Sequence, residues 1–489
     1  MRDGDFPAPS IEESTEVLIL GAGISGLSAA RWLHKNKVSD FTVLELSAGI
    51  GGNSTSGSNA VSSYPWAAHY LPIPNMECKE LIAFLQEAKV IRSITNDIPE
   101  YEEQHLCFDP QERLFIKGNW QDGLIPEYGL PADDLAQVRK FTALMDEFRK
   151  RVGTDGKPAF AIPVDDSSQD EELRKLDQVT MTEFMTSNGL TSPYISWYVN
   201  YCCLDDFGTT AAQTSAWAGI HYFASRRGSG SNAGPGSILT WSEGNSFLAT
   251  HLANGITEKV KTSCAVFSVS ENTDGRLEVS YFDDTRQLSV KVTAKKVISC
   301  LSQFVNARLF SSFKRPDTTS FTYCPWIVAN ITTDSWPDEG ARPLSWDNVT
   351  YNSSSLGYVN ATHQAMKVRS GPTVLTWYCP LADREPAEAR KYLRERTYEE
   401  LQQLVLDDLL ATHPGCKVNI ASIDIRTWGH AMIRPVKNFI WSNERTEARK
   451  PVGDKLFFAH SDLSGISIFE EAFYSGIRAA KETLNVQPA

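Results

Sequence analysis

The segment from residue 17 to residue 53 constrains the fold more than any other part of the chain. It begins with an apolar run, residues 17–20, of the kind that forms a buried parallel strand. The motif Gly21-Ala22-Gly23-Ile24-Ser25-Gly26 follows, then a helical run and a second strand over residues 41–46. This order of parts predicts a β-α-β unit that binds a dinucleotide.

Each glycine of the motif has its own physical reason. Gly21 permits a tight turn, Gly23 lets the backbone approach a pyrophosphate, and Gly26 lets the helix pack closely on the strand. The pyrophosphate would bind the free N–H groups and the positive dipole end of a helix that starts near Ile24 and Ser25. The alternative is a β-α-β unit that is kept only for folding.

An acidic residue and a second pair of glycines follow the helix. Glu45 stands about 20 residues past the first glycines, where a carboxylate can accept hydrogen bonds from ribose hydroxyls, and Leu46 comes next. An ordinary NAD-binding unit has no need of the further pair, Gly51 and Gly52. This extended pattern resembles the flavin amine oxidase superfamily, whose members include monoamine, polyamine and L-amino-acid oxidases, protoporphyrinogen oxidase and carotenoid-type desaturases. That family usually has Arg after the second pair, but this chain has Asn53, so one anchoring charge near the phosphates is missing.

The last part of the chain is similar to the closing motif of the same family. There a strand and an acidic residue precede a helix whose N-terminus faces the flavin pyrimidine ring. Reduction places negative charge on that edge of the flavin, and a helix N-terminus stabilises it. The resemblance implies that Ser461, Asp462, Phe469 and Glu470 contact the cofactor, with Asp462 at the pyrophosphate–ribityl linkage. Taken alone, the stretch would fit any amphipathic C-terminal helix.

A third block supports the same resemblance. A predicted helix after residue 245 leads into a β-meander, where the family places the backbone of Val266 against adenine. The resemblance implies an α/β plus α+β fold: a Rossmann-like FAD-binding domain with an added β-meander, and a second substrate-binding domain with a mixed sheet and helices. We expect the discontinuous FAD-binding domain to comprise residues 1–75, 236–312 and 430–489. The substrate-binding domain would comprise residues 76–235 and 313–429.

Bulk composition limits the class of protein. A chain of 489 residues exceeds one core and predicts two domains. The net charge of −13 argues against nucleic acid and anionic membranes as partners. Nine cysteines without paired spacing predict neither a disulfide framework nor a metal site, and no apolar run is long enough for a transmembrane segment. The polar N-terminus lacks a signal peptide, so the default expectation is a cytoplasmic protein, with a trimmed export signal left open.

Two aromatic segments supply candidate catalytic residues. By analogy with the family, the loop that holds Trp66, His69 and Tyr70 runs beside the flavin, with Trp66 as a cofactor contact. A neutral His69 would accept a proton from substrate, although a packing role is an equal alternative. Trp428 and His430 precede the closing motif, where the family often supplies aromatic residues to the substrate cavity. For Trp428 a structural role, as a buried interdomain aromatic, is somewhat favoured over a catalytic one.

Two departures from the family bear on the substrate. Many amine oxidases carry a Lys on a substrate-domain strand, but residues 326–332 contain none, and the family's amine-binding Tyr is Ile468 here. The prediction is an FAD-dependent oxidoreductase that takes a hydride from a C–H bond of a small organic substrate onto flavin N5, with O₂ or another electron acceptor. An amine is narrowly favoured. The alternatives are a desaturase, dehydrogenase or isomerase acting on a carbon–carbon bond, and, more remotely, a non-enzymatic escort protein on the same fold. Oligomeric state is not predicted.

Overall fold

The computed structural model describes residues 6–335, 344–365, 371–413 and 419–484 of the chain. Runs of consecutive helices and runs of consecutive strands both occur in these residues. The helices within the described residues are α1 (Ile24–Lys35), α2 (Lys79–Glu87), α3 (Ala132–Lys150), α4 (Glu171–Arg174), α5 (Met181–Ser187), α6 (Pro193–Phe207), α7 (Ala216–Ala224), α8 (Ser246–Leu252), α9 (Gln303–Leu309), α10 (Pro386–Glu395), α11 (Tyr398–Thr412), α12 (Asn443–Ala448) and α13 (Phe469–Thr483). The strands are β1 (Ile11–Leu20), β2 (Phe41–Leu44), β3 (Ser56–Ser58), β4 (Ser63–Pro65), β5 (Tyr70–Pro72), β6 (Ile91–Thr95), β7 (Ile98–Tyr101), β8 (Glu112–Ile116), β9 (Asn119–Asp122), β10 (Ile238–Thr240), β11 (Val260–Lys261), β12 (Cys264–Glu271), β13 (Leu277–Asp283), β14 (Leu288–Ser299), β15 (Tyr323–Thr333), β16 (Asp347–Thr350), β17 (Tyr358–Asn360), β18 (Thr373–Pro380), β19 (Ile420–Ile433) and β20 (Leu456–Phe458).

The chain divides into two compact units. Unit 1 comprises Met1–Thr55, Ser246–Phe321 and Trp441–Ala489, and unit 2 comprises Ser56–Asn245 and Thr322–Ile440. Both units are discontinuous, and the chain passes between them four times. Relative to the predicted domains, residues 56–75, 236–245 and 430–440 lie in unit 2, and residues 313–321 lie in unit 1.

Unit 1 is organised around a seven-stranded sheet with the order β11-β2-β1-β14-β13-β12, and β20 also pairs with β14. β1 runs parallel to β2 and β14, while β12, β13 and β14 form an antiparallel meander. The apolar end of β1 is almost completely buried, from Val17 at 3% exposed to Leu20 at 1%. This burial fits a parallel strand that is covered on both faces, as the apolar run predicts.

Unit 2 contains a second seven-stranded sheet with the order β19-β15-β18-β17-β16-β8-β9. Alternate residues of β15 serve two cores because successive side chains of a strand point to opposite faces. Ile327 and Ala329 pack in the cluster that includes residues of α11. Trp326 and Val328 pack on the opposite face with residues of α6.

Helix α6 carries several of the polar side chains that matter below, and both of its ends are fixed by local chemistry. Pro193 occupies the first turn, where its missing N–H costs nothing. Gly208 ends the helix at a φ of 57°, in the left-handed region that glycine adopts without strain. Among the helices of the described residues, none is both long and apolar enough to span a bilayer.

Candidate functional site

The glycine motif in unit 1 builds an open helix N-terminus. Gly21 has a φ of 97°, as a tight turn requires. A Cβ on Gly26 would lie 1.9 Å from the carbonyl oxygen of Gly21, so only glycine lets α1 approach the end of β1 this closely. Gly23 is the N-cap of α1 and offers no side chain to cap it. The N–H groups at Ile24 and Ser25 are therefore available to an anionic ligand.

The second glycine pair lies directly against the first. Gly51 forms a parallel bridge with Gly23, and its N–H donates to the carbonyl of Ala22 at 2.8 Å. A Cβ on Gly52 would come within 3.3 Å of the Cα of Gly23. Asn53 follows on the exposed side of a short 3₁₀ turn. Two strips of backbone without side chains thus meet at the start of α1, which is the space that a pyrophosphate needs.

Glu45 is fixed at the end of β2. Its Oε2 accepts a hydrogen bond from the N–H of Ala22 at 2.6 Å, and its Oε1 accepts one from the N–H of Ser47 at 2.8 Å. The side chain is only 8% exposed. Each carboxylate oxygen has further lone pairs, so the group can still accept hydrogen bonds from a ligand.

A cavity of about 810 Å³ opens beside this carboxylate, within unit 1. Its lining includes Gly21, Glu45, Leu46 and Val266. Leu46 is 61% exposed, an unusual value for a large apolar side chain. A β-bulge interrupts strand pairing between Val266 and Ser268, so the backbone at Val266 departs from the regular ladder. An apolar wall with a few convergent polar groups is typical of a cofactor site of this size.

The closing segment is held in place by contacts within unit 1. Asp462 is only 1% exposed, and its Oδ2 accepts a hydrogen bond from the N–H of Gln303, at the start of α9, at 3.1 Å. Its Oδ1 lies 2.9 Å from Nδ1 of His460. The contacts of Asp462 therefore stabilise the start of α9. Ser461, which is 8% exposed, begins a short 3₁₀ turn, Ser461–Leu463, that also contains Asp462.

Helix α13 begins with buried Phe469 and Glu470, and its N-cap residue, Ile468, has no capping side chain. It packs against α1 so closely that a Cβ on Gly476 would lie 2.1 Å from the carbonyl oxygen of Ser25. The hydroxyl of Ser25 donates to the carbonyl of Ala472 at 2.9 Å. The Ser25 side chain therefore joins two helices, and only its backbone N–H remains for a ligand.

The geometry of unit 1 is thus compatible with the binding of a flavin dinucleotide. The uncapped start of α1 suits a pyrophosphate, Glu45 suits ribose hydroxyls, and the cavity beside Val266 suits an aromatic base. The uncapped start of α13 offers a further positive dipole end. Within the described residues, no group of three or more His, Cys, Asp or Glu side chains could hold a metal ion.

His69, in unit 2, is surrounded by aromatic rings. It stacks on Tyr378 at a centroid distance of 4.7 Å and lies 5.1 Å from Tyr70 and 5.5 Å from Trp346. Burial lowers the pKa of His69 to about 4, so the imidazole is neutral near pH 7. Nδ1 lies 3.1 Å from the carbonyl oxygen of Ala67. Because a carbonyl only accepts, Nδ1 carries the proton, and Nε2 keeps a lone pair for a ligand.

Trp66 and Trp428 lie together in unit 2. Nε1 of Trp428 donates to the carbonyl oxygen of Trp66 at 2.9 Å. The guanidinium of Arg426 lies 4.2 Å from the centre of the Trp428 ring, close enough for a cation–π contact. Both tryptophans pack against the apolar cluster that contains Tyr378 and Trp346. His430 lies two residues further along β19, where its ring meets that of Tyr323 at 5.7 Å.

The sequence did not reveal the polar residues that share this unit with His69. Glu112, Asp205 and Asp347 are carboxylates whose pKa values are all raised by burial. They come from β8, α6 and β16, which are far apart in the chain. The sequence offered one signal, since Tyr201 and Asp205 are spaced to lie on the same face of a helix.

The chain matches one family model, that of the flavin-containing amine oxidoreductases, over residues 24–484. No sequence among the curated proteins matches it. Among solved structures, putrescine oxidase with bound putrescine has a TM-score of 0.66 and 15% identity, covering 97% of this chain and 100% of that one. Cyclohexylamine oxidase from Brevibacterium oxydans IH-35A has a TM-score of 0.64 and 16% identity, covering 96% and 98%. A protein assigned as a protoporphyrinogen oxidase, from Exiguobacterium sp. 255-15, has a TM-score of 0.66 and 14% identity, covering 99% and 100%. At these identities the structural likeness shows the fold alone.

Proposed function

The chain belongs to the flavin-containing amine oxidoreductase family and is an FAD-dependent oxidoreductase, and from this premise we propose that it oxidises a C–H bond of a small organic amine. FAD, when bound, would supply the redox chemistry of hydride acceptance at its N5 and of electron transfer to O₂ or another acceptor. What the protein contributes is binding, orientation and electrostatics.

We assign cofactor binding to a Rossmann-like part of unit 1. The start of α1, with Gly23 and the N–H groups of Ile24 and Ser25, holds the pyrophosphate. Glu45 accepts hydrogen bonds from ribose hydroxyls, and the backbone at Val266 meets adenine. The start of α13 stabilises negative charge that develops on reduction. Trp66, Asn53, Ser461 and Asp462 remain predicted cofactor contacts.

The proposed reaction rests on one observation about His69. Its imidazole is neutral, lies among aromatic rings and has an available Nε2. A pKa of about 4 makes His69 a weak base near pH 7. Its proposed role is therefore to accept a hydrogen bond from a substrate N–H and so to orient the neighbouring C–H bond. Tyr70 and Trp428 exclude water from the same region. His430 remains a candidate without an assigned step.

A second candidate reaction is the oxidation or isomerisation of a carbon–carbon bond. Strand β15, Tyr323–Thr333, contains no Lys, and Ile468 stands where the family commonly has Tyr. Both residues are associated with amine oxidation in the family, so their absence from these positions supports substrates without a basic nitrogen. An amine remains the first choice because Tyr378, on which His69 stacks, interacts electrostatically with the carboxylates of Asp205 and Asp347.

Anaerobic titration of the oxidised holoenzyme tests the choice. Amines, amino acids and unsaturated lipids are added separately while the flavin absorbance is followed. We expect an amine to bleach the flavin band. Bleaching by an unsaturated lipid alone would establish the second candidate and overturn the first.

A further inference from the structure

A short segment of unit 1 precedes β1 and crosses the β-meander. We call residues 6–10 the leading segment. At one end, the N–H of Ser10 donates to the carbonyl of Ser289, on β14, at 3.0 Å. At the other end, the ring of Phe6 stacks on that of Phe267, on β12, at a centroid distance of 4.6 Å. The leading segment therefore passes across the meander from β14 to β12.

The sequence of the leading segment explains this path. Pro7 and Pro9 have no N–H to donate, so the segment cannot continue the ladder of hydrogen bonds between β1 and β14. The four residues from Phe6 to Pro9 reach at most about 14 Å from Ser10 when extended. Two strand spacings, from β14 to β12, are about 10 Å. The segment is therefore long enough to bring Phe6 to β12 but not far beyond it.

A β-bulge turns Phe267 toward the cavity of unit 1. The pairing of β12 with β13 shifts between Val266 and Ser268, which leaves Phe267 as the extra residue. Successive residues of a regular strand face opposite sides, but Val266 and Phe267 both line the cavity of about 810 Å³. Phe6 lines it as well. The stacked rings of Phe6 and Phe267 thus belong to one side of the cavity, which we call the aromatic wall.

The exposure of the leading segment indicates what holds it in place. Phe6 is half-buried, whereas residues 7–10 are all exposed. The ring of Phe6 also lies 5.5 Å from that of Phe282, on β13. A ring that lines an open cavity exposes apolar surface to water until a ligand covers it, and a flat aromatic ligand covers it by stacking. The aromatic wall is therefore suited to a flat aromatic group.

Arg308 adds a planar cation to the same cavity. It lies in the last turn of α9, is exposed and lines the cavity. Within the described residues its guanidinium forms no ion pair or hydrogen bond. The carboxylate oxygens of Glu45, the acidic residue of the lining, already accept two backbone hydrogen bonds. Because a guanidinium stacks on aromatic rings, Arg308 is available to the same kind of ligand as the aromatic wall.

The position of Glu45 identifies the part of FAD that the cavity takes. The start of α1 suits the pyrophosphate, and Glu45, at the end of β2, suits the hydroxyls of the adenosine ribose. The base attached to that ribose must lie next to Glu45, and the cavity is the open space that Glu45 lines. The backbone at Val266, which we assign to adenine, lines the same space. The flat group beside the aromatic wall is therefore adenine.

We propose that Phe6 and Arg308 contact the adenine ring of FAD, so that the leading segment closes the adenine end of the cofactor site. Neither residue belongs to the glycine motif or to the β-α-β unit that contains it. The proposal goes beyond the proposed reaction and does not depend on the identity of the substrate. It makes the affinity for FAD, and the rate at which FAD leaves, depend on a side chain that precedes the first strand.

Fluorescence titration of the full-length apoproteins with FAD and with FMN, which lacks the adenosine, tests the proposal. Phe6→Ala should weaken FAD binding by about 5- to 100-fold, the range for the loss of one base–aromatic stack, and leave FMN binding unchanged. The Phe6→Ala holoenzyme should release FAD faster on dilution by a similar factor. Phe6→Tyr keeps the ring and should bind FAD as wild type does. Wild-type FAD affinity in Phe6→Ala, or an equal loss for FAD and FMN, would overturn the proposal.

Variants of Arg308 and two controls complete the test. Arg308→Lys keeps the charge but loses the planar guanidinium, so it should weaken FAD binding several-fold, as Arg308→Met should. Phe313→Ala and Arg276→Met change residues of unit 1 outside the cavity lining and should bind FAD as wild type does. If FMN binds too weakly to measure, ADP replaces it: Phe6→Ala should weaken ADP and FAD binding equally, and unchanged ADP affinity would overturn the proposal. Full FAD affinity in Arg308→Lys would contradict the contact between Arg308 and adenine.

Discussion

Gly26 packs against Gly21 so closely that a Cβ on Gly26 would lie 1.9 Å from the Gly21 carbonyl oxygen. Gly23, three residues earlier, has open space instead, since the nearest atom to its Cβ position, the Cα of Gly52, is 3.9 Å away. The two glycines therefore have different reasons to lack a side chain. Gly26 is required for the fold of α1 on β1, and Gly23 leaves space that a ligand would fill.

This difference predicts different defects in two glycine variants. Gly23→Val should fold, because its φ of −71° suits any residue, but its side chain should block the pyrophosphate and weaken FAD binding at least about 100-fold. Gly26→Ala should instead destabilise the protein, by about 1–3 kcal/mol for an overpacked contact. Thermal melting of the apoproteins and FAD titration measure the two effects. A Gly23→Val protein that binds FAD at full affinity would contradict the assignment.

Glu45 should contribute to FAD affinity through its carboxylate. Glu45→Gln removes the charge, and a hydrogen bond to a charged group contributes about 1.5–3 kcal/mol, so we expect roughly a 10- to 100-fold loss of affinity. Glu16→Gln is the control, because Glu16 forms an exposed ion pair with Lys295 on the same sheet and such pairs contribute little. Fluorescence titration of the apoproteins with FAD compares the two. Equal affinities would remove Glu45 from the cofactor site.

Two variants of His69 test its role as a hydrogen-bond acceptor. An Asn side chain can still donate to the carbonyl of Ala67 but does not reach the position of Nε2, whereas Gln places an amide near Nε2. His69→Asn should therefore slow flavin reduction by about tenfold or more, the effect of one positioning hydrogen bond, and His69→Gln should retain more of the rate. Stopped-flow reduction under anaerobic conditions measures both, with FAD content as the control. Equal rates of flavin reduction in wild type and both variants would indicate that His69 has only a packing role.

The pKa of Asp205 predicts how stability depends on pH. Its folded-state pKa of about 7 lies above the unfolded value of about 3.9, so the folded state holds the proton more tightly. The stabilising contribution is full below pH about 4 and is lost as pH rises through about 7. Desolvation is the main cause. The charged and titratable groups that interact with Asp205 are Asp206, Arg226, Asp347, Tyr201, Cys202, Tyr222 and Tyr378.

Asp205→Asn should remove this pH dependence. The free energy of unfolding of the variant, relative to wild type, should rise by about 2 kcal/mol between pH 5 and pH 8. The comparison cancels the opposite trend from His69, whose pKa of about 4 lies below its unfolded value. Urea unfolding of the holoproteins at both pH values gives the difference. A difference that stays constant would show that Asp205 is ionised in the folded state at pH 5.

The parts of the fold that depend on local sequence were predictable. The run 17–20, the glycine motif and the meander become β1, α1 and β12 to β14, and strands close together in the chain pair with one another, as β1 does with β2 and β13 does with β14. The family resemblance located Glu45 and Val266 on one cavity. Ser25 and Asp462 remain predicted cofactor contacts, and both side chains also form hydrogen bonds within the protein that the sequence did not reveal.

The group of buried carboxylates in unit 2, Glu112, Asp205 and Asp347, could not be predicted in the same way. Asp205 lies in the last turn of α6 and Asp347 begins a short strand, and neither stands in a recognisable motif. They meet because α6 packs on the sheet of unit 2, which is a tertiary relationship. The low pKa of His69 also depends on rings from distant segments, such as Tyr378 and Trp346. Sequence patterns indicate helical or strand periodicity and turns. They do not indicate which side chains lose contact with solvent when distant segments pack together.

The measurement that tests the central claim most directly is the absorbance spectrum of the purified protein after reconstitution with FAD. The spectrum is recorded before and after the anaerobic addition of each amine of the titration, including 1,4-diaminobutane and n-butylamine. We expect a flavin absorbance band that corresponds to one FAD per chain. An amine should bleach this band, and air should restore it if O₂ is the acceptor. A colourless protein that cannot be reconstituted with FAD would contradict the claim that this chain is an FAD-dependent oxidoreductase.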